Sequence, residues 1–185
     1  MAHVIDKTFE FCYGHRVWTQ QLNGEYAADL KCACRHLHGH KGKLQVHLIH
    51  ETNPDQLDQT GMVTDFRHLE WLKKWINENI DHQFILDMHD PLYNQIIGDK
   101  DLLPVTVPNT EYIAGHKIDL THLTPNTPEY EYYEGFFVVN FVPTSENLSQ
   151  WISTVVNVKM KPLNVKVDHI EWWETPKSRS IYHAN

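Results

Sequence analysis

Cysteine is scarce in this chain, and the usual marks of export or membrane insertion are missing. Its three cysteines, Cys12, Cys32 and Cys34, are odd in number and closely spaced, which argues against the disulfide framework of a small secreted domain. The sequence has no run of about 18 apolar residues, and residues 1–7 lack a basic region followed by an apolar stretch. These absences predict a chain that works in a reducing cytoplasm, with no membrane partner.

Positive charge is also in short supply. Sixteen Lys and Arg residues face 24 Asp and Glu residues, giving a net charge of −8 at pH 7. No basic stretch could neutralise several phosphates, so we expect no nucleic-acid partner, although a few local cations can still hold an anionic small molecule. With 185 residues and 41% apolar content, the chain can fill one hydrophobic core. We therefore expect a single domain over residues 1–185.

Hydrophobic periodicity predicts two strands at the start of the chain. Residues 4–17 are rich in aromatic and β-branched side chains. In residues 36–51 apolar side chains take every second position from Lys43 to Leu48, which places them on one face of a sheet. The connection over residues 19–31 contains Asn23-Gly24, which favours a hairpin between antiparallel neighbours.

Two helices and two later strands follow from capping residues and spacing. Thr64-Asp65 begins the first helix and Thr144 or Ser145 caps the second. The apolar stripes are Phe66, Leu69, Leu72, Trp75 and Ile76 in the first helix, and Leu148, Trp151, Ile152 and Val155 in the second. Residues 136–142 and 165–174 are strand-like. This order predicts an α+β fold, an antiparallel sheet with two helices on one face.

Residues 87–135 show little periodicity and contain several prolines. A structureless loop of this length is unusual in one domain, so we expect a long insertion that contains short strands or packs against another subunit.

Histidine spacing gives the strongest chemical signal. His38 and His40 lie two residues apart in a predicted strand, so both imidazoles share one face, and Gly39 between them permits close backbone approach. His15, in the neighbouring strand, can supply a third nitrogen. Three histidines and one open position are typical of catalytic zinc, which predicts a Zn²⁺ cofactor.

Three alternatives stay open at this point. A chain with 14 histidines places some of them two apart by chance. A structural zinc site of Cys32, Cys34, His38 and His40 is a second reading, although four ligands within nine residues need a tight knuckle rather than a strand. His36 shares the parity of His38 and His40, so a bulge can bring it in as a ligand instead.

Six motifs in order resemble the 6-pyruvoyl-tetrahydropterin synthase family, and most closely its 6-carboxy-5,6,7,8-tetrahydropterin synthase branch. The motifs are His15 after an aromatic strand, Cys34-x-x-x-His38-Gly39-His40, Gly61-Met62-Val63-Thr64-Asp65-Phe66, Asp81-His82, Pro143-Thr144-Ser145-Glu146-Asn147 and Glu174-Thr175. The resemblance covers residues 4–86 and 136–182, and the segment between them is longer than is usual in the family.

The resemblance implies a role for each matched residue. His15, His38 and His40 hold zinc, Cys34 is the general base beside it, and Asp81-His82 assists the cysteine, often across a subunit boundary. A thiol near Zn²⁺ and Arg35 does lose its proton more readily. Glu174 suits the guanidinium-like edge of a pterin, because a carboxylate accepts two parallel hydrogen bonds. Thr144 and Ser145 add donors at a helix start, although their commoner role is capping.

The resemblance also implies an assembly and a reaction. The family has the tunnelling fold, in which trimers close a barrel and pair into homohexamers. The implied reaction of this lyase converts 7,8-dihydroneopterin triphosphate to 6-carboxy-5,6,7,8-tetrahydropterin, losing triphosphate and acetaldehyde, on the way to 7-deazaguanine compounds such as queuosine. Cys34 has the spacing of this branch, whereas Cys32 has the five-residue spacing of enzymes that make 6-pyruvoyl-tetrahydropterin. A non-catalytic, zinc-stabilised binding module of the same fold is the third possibility.

Overall fold

Strands alternate with helices through residues 3–21, 32–98, 104–106 and 115–184, the part of the chain that this computed structural model describes. The strands are β1 (Ile5–His15), β2 (His38–His50), β3 (Gln83–Asp87), β4 (Pro104–Thr106), β5 (Gly115–Ile118), β6 (Phe136–Val139), β7 (Val165–Thr175) and β8 (Ser178–His183). The α-helices are α1 (Glu70–Asn79), α2 (Tyr93–Ile97), α3 (Pro128–Glu134) and α4 (Ser145–Met160). Strands β1 and β2 each contribute residues to both of two compact units.

The first unit comprises Met1–Phe11, Lys41–Glu78 and Ser145–Asn185. Its strand order is β1-β2-β7-β8, with antiparallel pairing of β7 to both β2 and β8. The apolar side chains that alternate along β2 are fully buried, as the sequence predicts, and α4 packs against β7 and β8. The opposite face of β2 is polar, because every second residue there is Lys, Gln or His.

The second unit comprises Cys12–His40 and Asn79–Thr144. Its strand order is β4-β5-β6-β3-β1-β2, and β5 pairs antiparallel with both β4 and β6. Strand β3 pairs in parallel with β1 on one side and with β6 on the other. The α+β class is therefore confirmed with a mixed sheet, and the expectation of antiparallel pairing throughout is wrong for these two pairs. Each parallel pair is joined by a long connection, as parallel neighbours require.

Both predicted helices form close to the residues that cap them. The Asp65 carboxylate accepts a hydrogen bond of 2.8 Å from the Arg67 backbone N–H, and a 3₁₀ turn over Phe66–Leu69 leads into α1. The predicted apolar stripes are buried in both helices, except for Phe66, whose exposed fraction is 51%. Phe66 belongs to the 3₁₀ turn, where the spacing of an α-helical stripe no longer holds.

Short elements occupy the described part of residues 87–135. They include α2, β4, β5 and α3, so the expected short strands are present. Residues 99–103 and 107–114 lie outside the described part, as do residues 22–31 of the predicted hairpin connection. Strands β1 and β2 are neighbours in the sheet. The single domain over 1–185 stays a prediction.

No helix among the described residues has the length and apolarity that crossing a bilayer requires.

Candidate metal centre and substrate site

Three histidine side chains converge in the second unit, where β1 ends and β2 begins. The ring centroids of His15 and His38 lie 4.5 Å apart, and the His40 ring lies 5.0 Å from each of them. The Nε2 atoms of His15 and His40 are separated by 3.1 Å. One potential ligand atom from each residue falls within 4.8 Å of the others. The structure thus brings together the three imidazoles that the sequence singles out.

Backbone carbonyls set the orientation of two of these rings. The Nδ1 atom of His15 lies 2.6 Å from the Pro143 carbonyl oxygen, and Nδ1 of His38 lies 2.8 Å from the His36 carbonyl oxygen. A carbonyl oxygen only accepts hydrogen bonds, so each Nδ1 carries the proton. The Nε2 lone pairs are then left for a metal, which is the arrangement seen in metal-ligating histidines.

Burial favours the neutral form of two of these imidazoles, His15 and His40. His15 is 1% exposed, and burial lowers its pKa to about 4, with the Pro143 carbonyl opposing the shift and the neighbouring His38 and His40 adding to it. The pKa of His40 is also lowered, first by burial and then by His38. A neutral imidazole is the form that binds a metal ion, so the centre is ready to coordinate at neutral pH.

The spacing of the cluster fits zinc. Two ligands about 2.0–2.1 Å from a tetrahedral ion lie about 3.3 Å apart, and the two Nε2 atoms of His15 and His40 are 3.1 Å apart. His15 and His38, whose Nδ1 protons are bonded to carbonyls, offer their Nε2 lone pairs toward the centre. Together with His40 they make three nitrogen donors, which leave one position for a substrate or water oxygen.

Gly39 allows β2 to approach β1 at this point. A Cβ atom placed on Gly39 would lie 3.0 Å from the Tyr13 carbonyl oxygen, closer than nearly all side-chain contacts of this kind. Any larger residue would therefore push the two strands apart. The close approach predicted from the His-Gly-His motif is made by the backbone of β1.

The three residues that the sequence offered as competing ligands lie before β2 begins. Cys34 is in a 3₁₀ turn over Ala33–Arg35, and its carbonyl accepts a hydrogen bond of 2.8 Å from the Val17 N–H. Cys32 and Cys34 are half-buried, and the structure places neither in a disulfide. Among the described residues, neither cysteine nor His36 belongs to a cluster that could hold a metal. His36 instead supplies the carbonyl that orients His38.

Asp81 and His82 form an ion pair in the turn before β3. Their Oδ1 and Nδ1 atoms are 3.0 Å apart, and the His82 side chain is 79% exposed. The backbone of Cys12 in β1 fixes both residues: its N–H donates to Asp81 Oδ1 at 2.8 Å, and its carbonyl accepts from the His82 N–H at 2.7 Å. His82 has a φ of 61°, an unusual backbone conformation for a residue other than glycine.

The predicted pterin-binding residues lie on β7 and at the start of α4. Glu174 is half-buried at the point where the register of the β7–β8 pair shifts. Such irregularities re-aim side chains and are common beside active sites. Ser145 is the first residue of α4, and its carbonyl accepts a hydrogen bond of 2.7 Å from the Ser180 hydroxyl. Thr144 precedes it and donates its N–H to the Val142 carbonyl at 2.8 Å.

A pocket of about 360 Å³ opens in the first unit beside the strand that carries Glu174. Its walls are Glu10, Lys41, Gly42, Lys43, Trp173, Thr175 and Pro176. The Lys43 ammonium lies 3.8 Å from the centre of the Trp173 ring. The pocket thus combines an aromatic wall with local positive charge.

Sequence reasoning missed a second histidine cluster in the first unit. His47, His169 and Glu171 also bring three potential ligand atoms within 4.8 Å of one another. The available signals were His47 on the polar side of β2 and the His-x-Glu spacing in β7. Neither predicts a cluster until the pairing of the two strands is known.

Comparisons of the sequence with known proteins agree on one family. The profile of the family described as "6-pyruvoyl tetrahydropterin synthase" matches residues 4–185. A 6-carboxy-5,6,7,8-tetrahydropterin synthase of Aquifex aeolicus (strain VF5) is 31% identical, with 98% of each chain covered.

Two solved structures extend the comparison. A crystal structure of a Wolinella succinogenes protein has a TM-score of 0.85 and 42% identity, covering 100% of this chain and 99% of the other. The 6-pyruvoyl tetrahydropterin synthase of Caenorhabditis elegans has a TM-score of 0.53 at 17% identity, covering 100% of this chain and 97% of the other, which shows likeness of fold alone.

Proposed function

The chain belongs to the 6-pyruvoyl tetrahydropterin synthase family, and on that premise we propose which pterin reaction it carries out. It is an enzyme of the pterin synthase type, a lyase. The proposed reaction converts 7,8-dihydroneopterin triphosphate and water into 6-carboxy-5,6,7,8-tetrahydropterin, triphosphate and acetaldehyde. The observation that carries the proposal is the convergence of three imidazoles, two of which have Nδ1 bonded to a backbone carbonyl and Nε2 left for a metal.

His15, His38 and His40 are the proposed zinc ligands. Their geometry fits the ion, and the open fourth position is what a catalytic site needs. When bound, zinc would polarise a side-chain oxygen of the substrate. The protein's contribution is to lower the pKa of His15 and His40 by burial, and to fix the His15 and His38 rings through the carbonyls of Pro143 and His36.

Cys34 is the proposed general base, and the Asp81-His82 pair is proposed to support its proton transfer. Val17 lies two residues beyond His15 in the chain and donates its N–H to the Cys34 carbonyl. This hydrogen bond fixes the turn that carries the thiol. The Asp81 carboxylate lies 3.0 Å from the His82 ring, so it stabilises the imidazolium that forms when His82 takes up a proton.

Glu174, Thr144 and Ser145 are the proposed contacts to the pterin ring. The carboxylate of Glu174 matches the amino group and the adjacent ring N–H of a pterin, which form a two-donor edge. The pocket lies in the same unit as Glu174 and contains two lysines. Glu10 pairs with Lys41 at 3.2 Å, so Lys43 supplies the positive charge that suits a triphosphate substrate.

A homo-oligomer is part of the proposal. The described strand order ends at β8 in the first unit and at β4 in the second, and sheet edges are commonly covered by another copy. A trimer that closes a barrel, doubled into a hexamer, is the assembly the tunnelling fold implies. A cytoplasmic location and a place in the supply of 7-deazaguanine compounds such as queuosine stay predictions.

The product distinguishes the two enzymatic candidates. The spacing of Cys34 before His38 and the name of the Aquifex aeolicus relative both favour the carboxypterin product. The spacing of Cys32 before His38 favours 6-pyruvoyl-tetrahydropterin, the second candidate.

Incubating the zinc-loaded protein with 7,8-dihydroneopterin triphosphate tests the proposal. We expect mass spectrometry to detect 6-carboxy-5,6,7,8-tetrahydropterin, with acetaldehyde released in equal amount. A pyruvoyl product without acetaldehyde would replace the proposed reaction by that of the second candidate. Absence of turnover at full zinc loading would favour the third candidate, a non-catalytic binding module.

Replacing Glu174 by glutamine is expected to raise KM for the substrate more than it lowers kcat. Loss of a charge-assisted hydrogen bond costs about 1.5–3 kcal/mol, or about a 10- to 150-fold rise in KM. Steady-state kinetics of the Glu174→Gln variant measures this effect. Glu129→Gln, the same change at an exposed position on α3, is the control. An unchanged KM in Glu174→Gln would exclude the pterin contact.

A further inference from the structure

The polar face of the β2–β7 pair carries a second set of histidines. His47 on β2 lies directly opposite His169 on β7, and Glu171 follows two residues later on β7, opposite Gln45. Side chains two residues apart in a strand point to the same face, so all three project from one side of the sheet. None of them belongs to the proposed zinc centre or to the proposed substrate contacts.

Both imidazoles face one carboxylate oxygen. Oε1 of Glu171 lies 3.7 Å from His47 Nε2 and 3.9 Å from His169 Nε2, and the two rings stack with centroids 3.7 Å apart. These distances are too long for hydrogen bonds, which end at about 3.2 Å. Two ligands that each lie about 2.0–2.1 Å from one ion can be at most about 4.2 Å apart. The distances therefore suit a shared ion better than direct contact. The two ring planes lie only 16° from parallel, so binding would require the rings to turn until both Nε2 lone pairs point at the ion.

Neighbouring side chains orient the potential ligands. The carboxylate of Asp168 lies 2.6 Å from His169 Nδ1, which fixes the proton there and leaves the Nε2 lone pair facing Glu171. Oε2 of Glu171 accepts a hydrogen bond of 3.0 Å from the Trp173 indole and lies 3.3 Å from the Arg179 guanidinium. Carboxylate–histidine pairs and bonded carboxylates of this kind typically surround metal ligands.

The strand pairing itself produces the Asp168–His169 contact. The register of β2 with β7 shifts between His47 and Leu48, whose partners are His169 and Val167, so Asp168 is the extra residue. Such irregularities commonly re-aim a side chain at a functional site. Here the adjacent carboxylate reaches the back of the His169 ring.

The buried nitrogen of His47 supplies an independent observation. Its Nε2 atom is shielded from solvent and has no hydrogen-bond partner among the described residues. The side chains of His47, His169 and Glu171 are 14%, 19% and 12% exposed, so the cluster is largely removed from water. A buried polar atom without a partner is costly, and coordination of an ion would satisfy it.

We propose that His47 Nε2, His169 Nε2 and Glu171 Oε1 bind a second divalent transition-metal ion of the zinc class. Two imidazoles and one carboxylate are a common ligand set for zinc and similar ions, and three protein ligands leave a further position open. Arg179 offsets part of the negative charge of Glu171. We therefore expect this site to bind zinc more weakly than the His15, His38 and His40 centre.

The test counts zinc ions per chain in the purified full-length protein, stripped of metal and then dialysed against zinc. We expect two ions per chain for the unmodified protein and one for His47→Gln. The variant Glu171→Gln is expected to lose the second ion or to bind it at least about tenfold more weakly. His183→Gln is the matched control, because its ring lies 5.3 Å from that of His169 outside the cluster. It is expected to keep both ions.

A second measurement isolates the proposed site. In a variant that carries His38→Ala and His40→Ala, one zinc ion per chain is expected to remain, and adding Glu171→Gln is expected to remove it. Circular dichroism checks that each variant is folded. The proposal is overturned if the unmodified protein binds one ion per chain. Retention of both ions at unchanged affinity by folded His47→Gln and Glu171→Gln would also overturn it. Neither readout depends on catalytic turnover.

Discussion

Replacing His40 by alanine is expected to abolish zinc binding at the proposed catalytic centre and to lower turnover more than about 100-fold. Changes to the outer partners of metal ligands already cost about 10- to 100-fold, and loss of a ligand removes more. The Nε2 atom of His40 lies 3.1 Å from that of His15, so its removal leaves two imidazoles and a gap in the coordination sphere. His40 is half-buried whereas His15 is buried, so this substitution disturbs the fold less than His15→Ala would.

The matched control is His36→Ala. His36 is exposed, and its contribution to the centre is the carbonyl that holds His38 Nδ1, which alanine keeps. We expect His36→Ala to retain both zinc and turnover. Atomic absorption on folded protein measures the loss of one zinc equivalent in His40→Ala. If His40→Ala binds as many zinc equivalents as the unmodified protein, or if His36→Ala binds one fewer, the proposed ligand set is wrong.

Cys34→Ala is expected to give the second large effect, a fall in turnover of about 10²- to 10⁴-fold, the usual contribution of a general base. Zinc content is expected to stay unchanged, because Cys34 lies outside the histidine cluster. The separation of lost turnover from retained metal is what distinguishes a base from a ligand. Stopped-flow or steady-state assays of folded, zinc-loaded protein measure it.

Cys32→Ala is the natural comparison for this substitution. Both cysteines are half-buried, Cys34 within the 3₁₀ turn and Cys32 at its N-terminal end, so alanine perturbs the packing of each to a similar degree. We expect Cys32→Ala to stay within about tenfold of the unmodified protein. If Cys32→Ala alone loses turnover, the base is Cys32, and the spacing argument for the carboxypterin product fails with it.

Local periodicity was enough to find the elements with a buried face. The alternation in β2 and the helical stripe of α4 each reflect a buried side, so their residues follow from spacing. The boundaries were less accurate at β2, which begins at His38 rather than at residue 36. The 3₁₀ turn over Ala33–Arg35 occupies the preceding residues, and its hydrogen bonds to residues outside the motif are not visible in the local pattern.

Pairing between distant segments could not be predicted in the same way. Strand β3 follows directly on the turn at Asp81-His82 and pairs in parallel with β1 and β6. The sequence analysis predicts no strand over its five residues, because a short apolar run carries no period that separates strand from helix. Strand β8 was missed for a related reason, since its Ser-Arg-Ser start is polar and four of its six residues are exposed.

The proposed catalytic centre was partly predictable. Strand parity and the His-Gly-His motif identify His38 and His40, and the neighbouring strand supplies His15. The contacts that orient the rings, from the carbonyls of Pro143 and His36, depend on tertiary structure and leave no mark in the sequence. The same holds for His47 and His169, which meet through the register of β2 with β7.

The turn at Asp81-His82 is fastened to β1 through the amide and the carbonyl of Cys12, and neither bond involves the thiol. Residue 12 therefore binds this pair through its main-chain N–H and carbonyl, and its side chain takes no part in either bond. These two bonds are therefore compatible with almost any side chain at position 12, with proline as the clear exception because it has no N–H to give to Asp81.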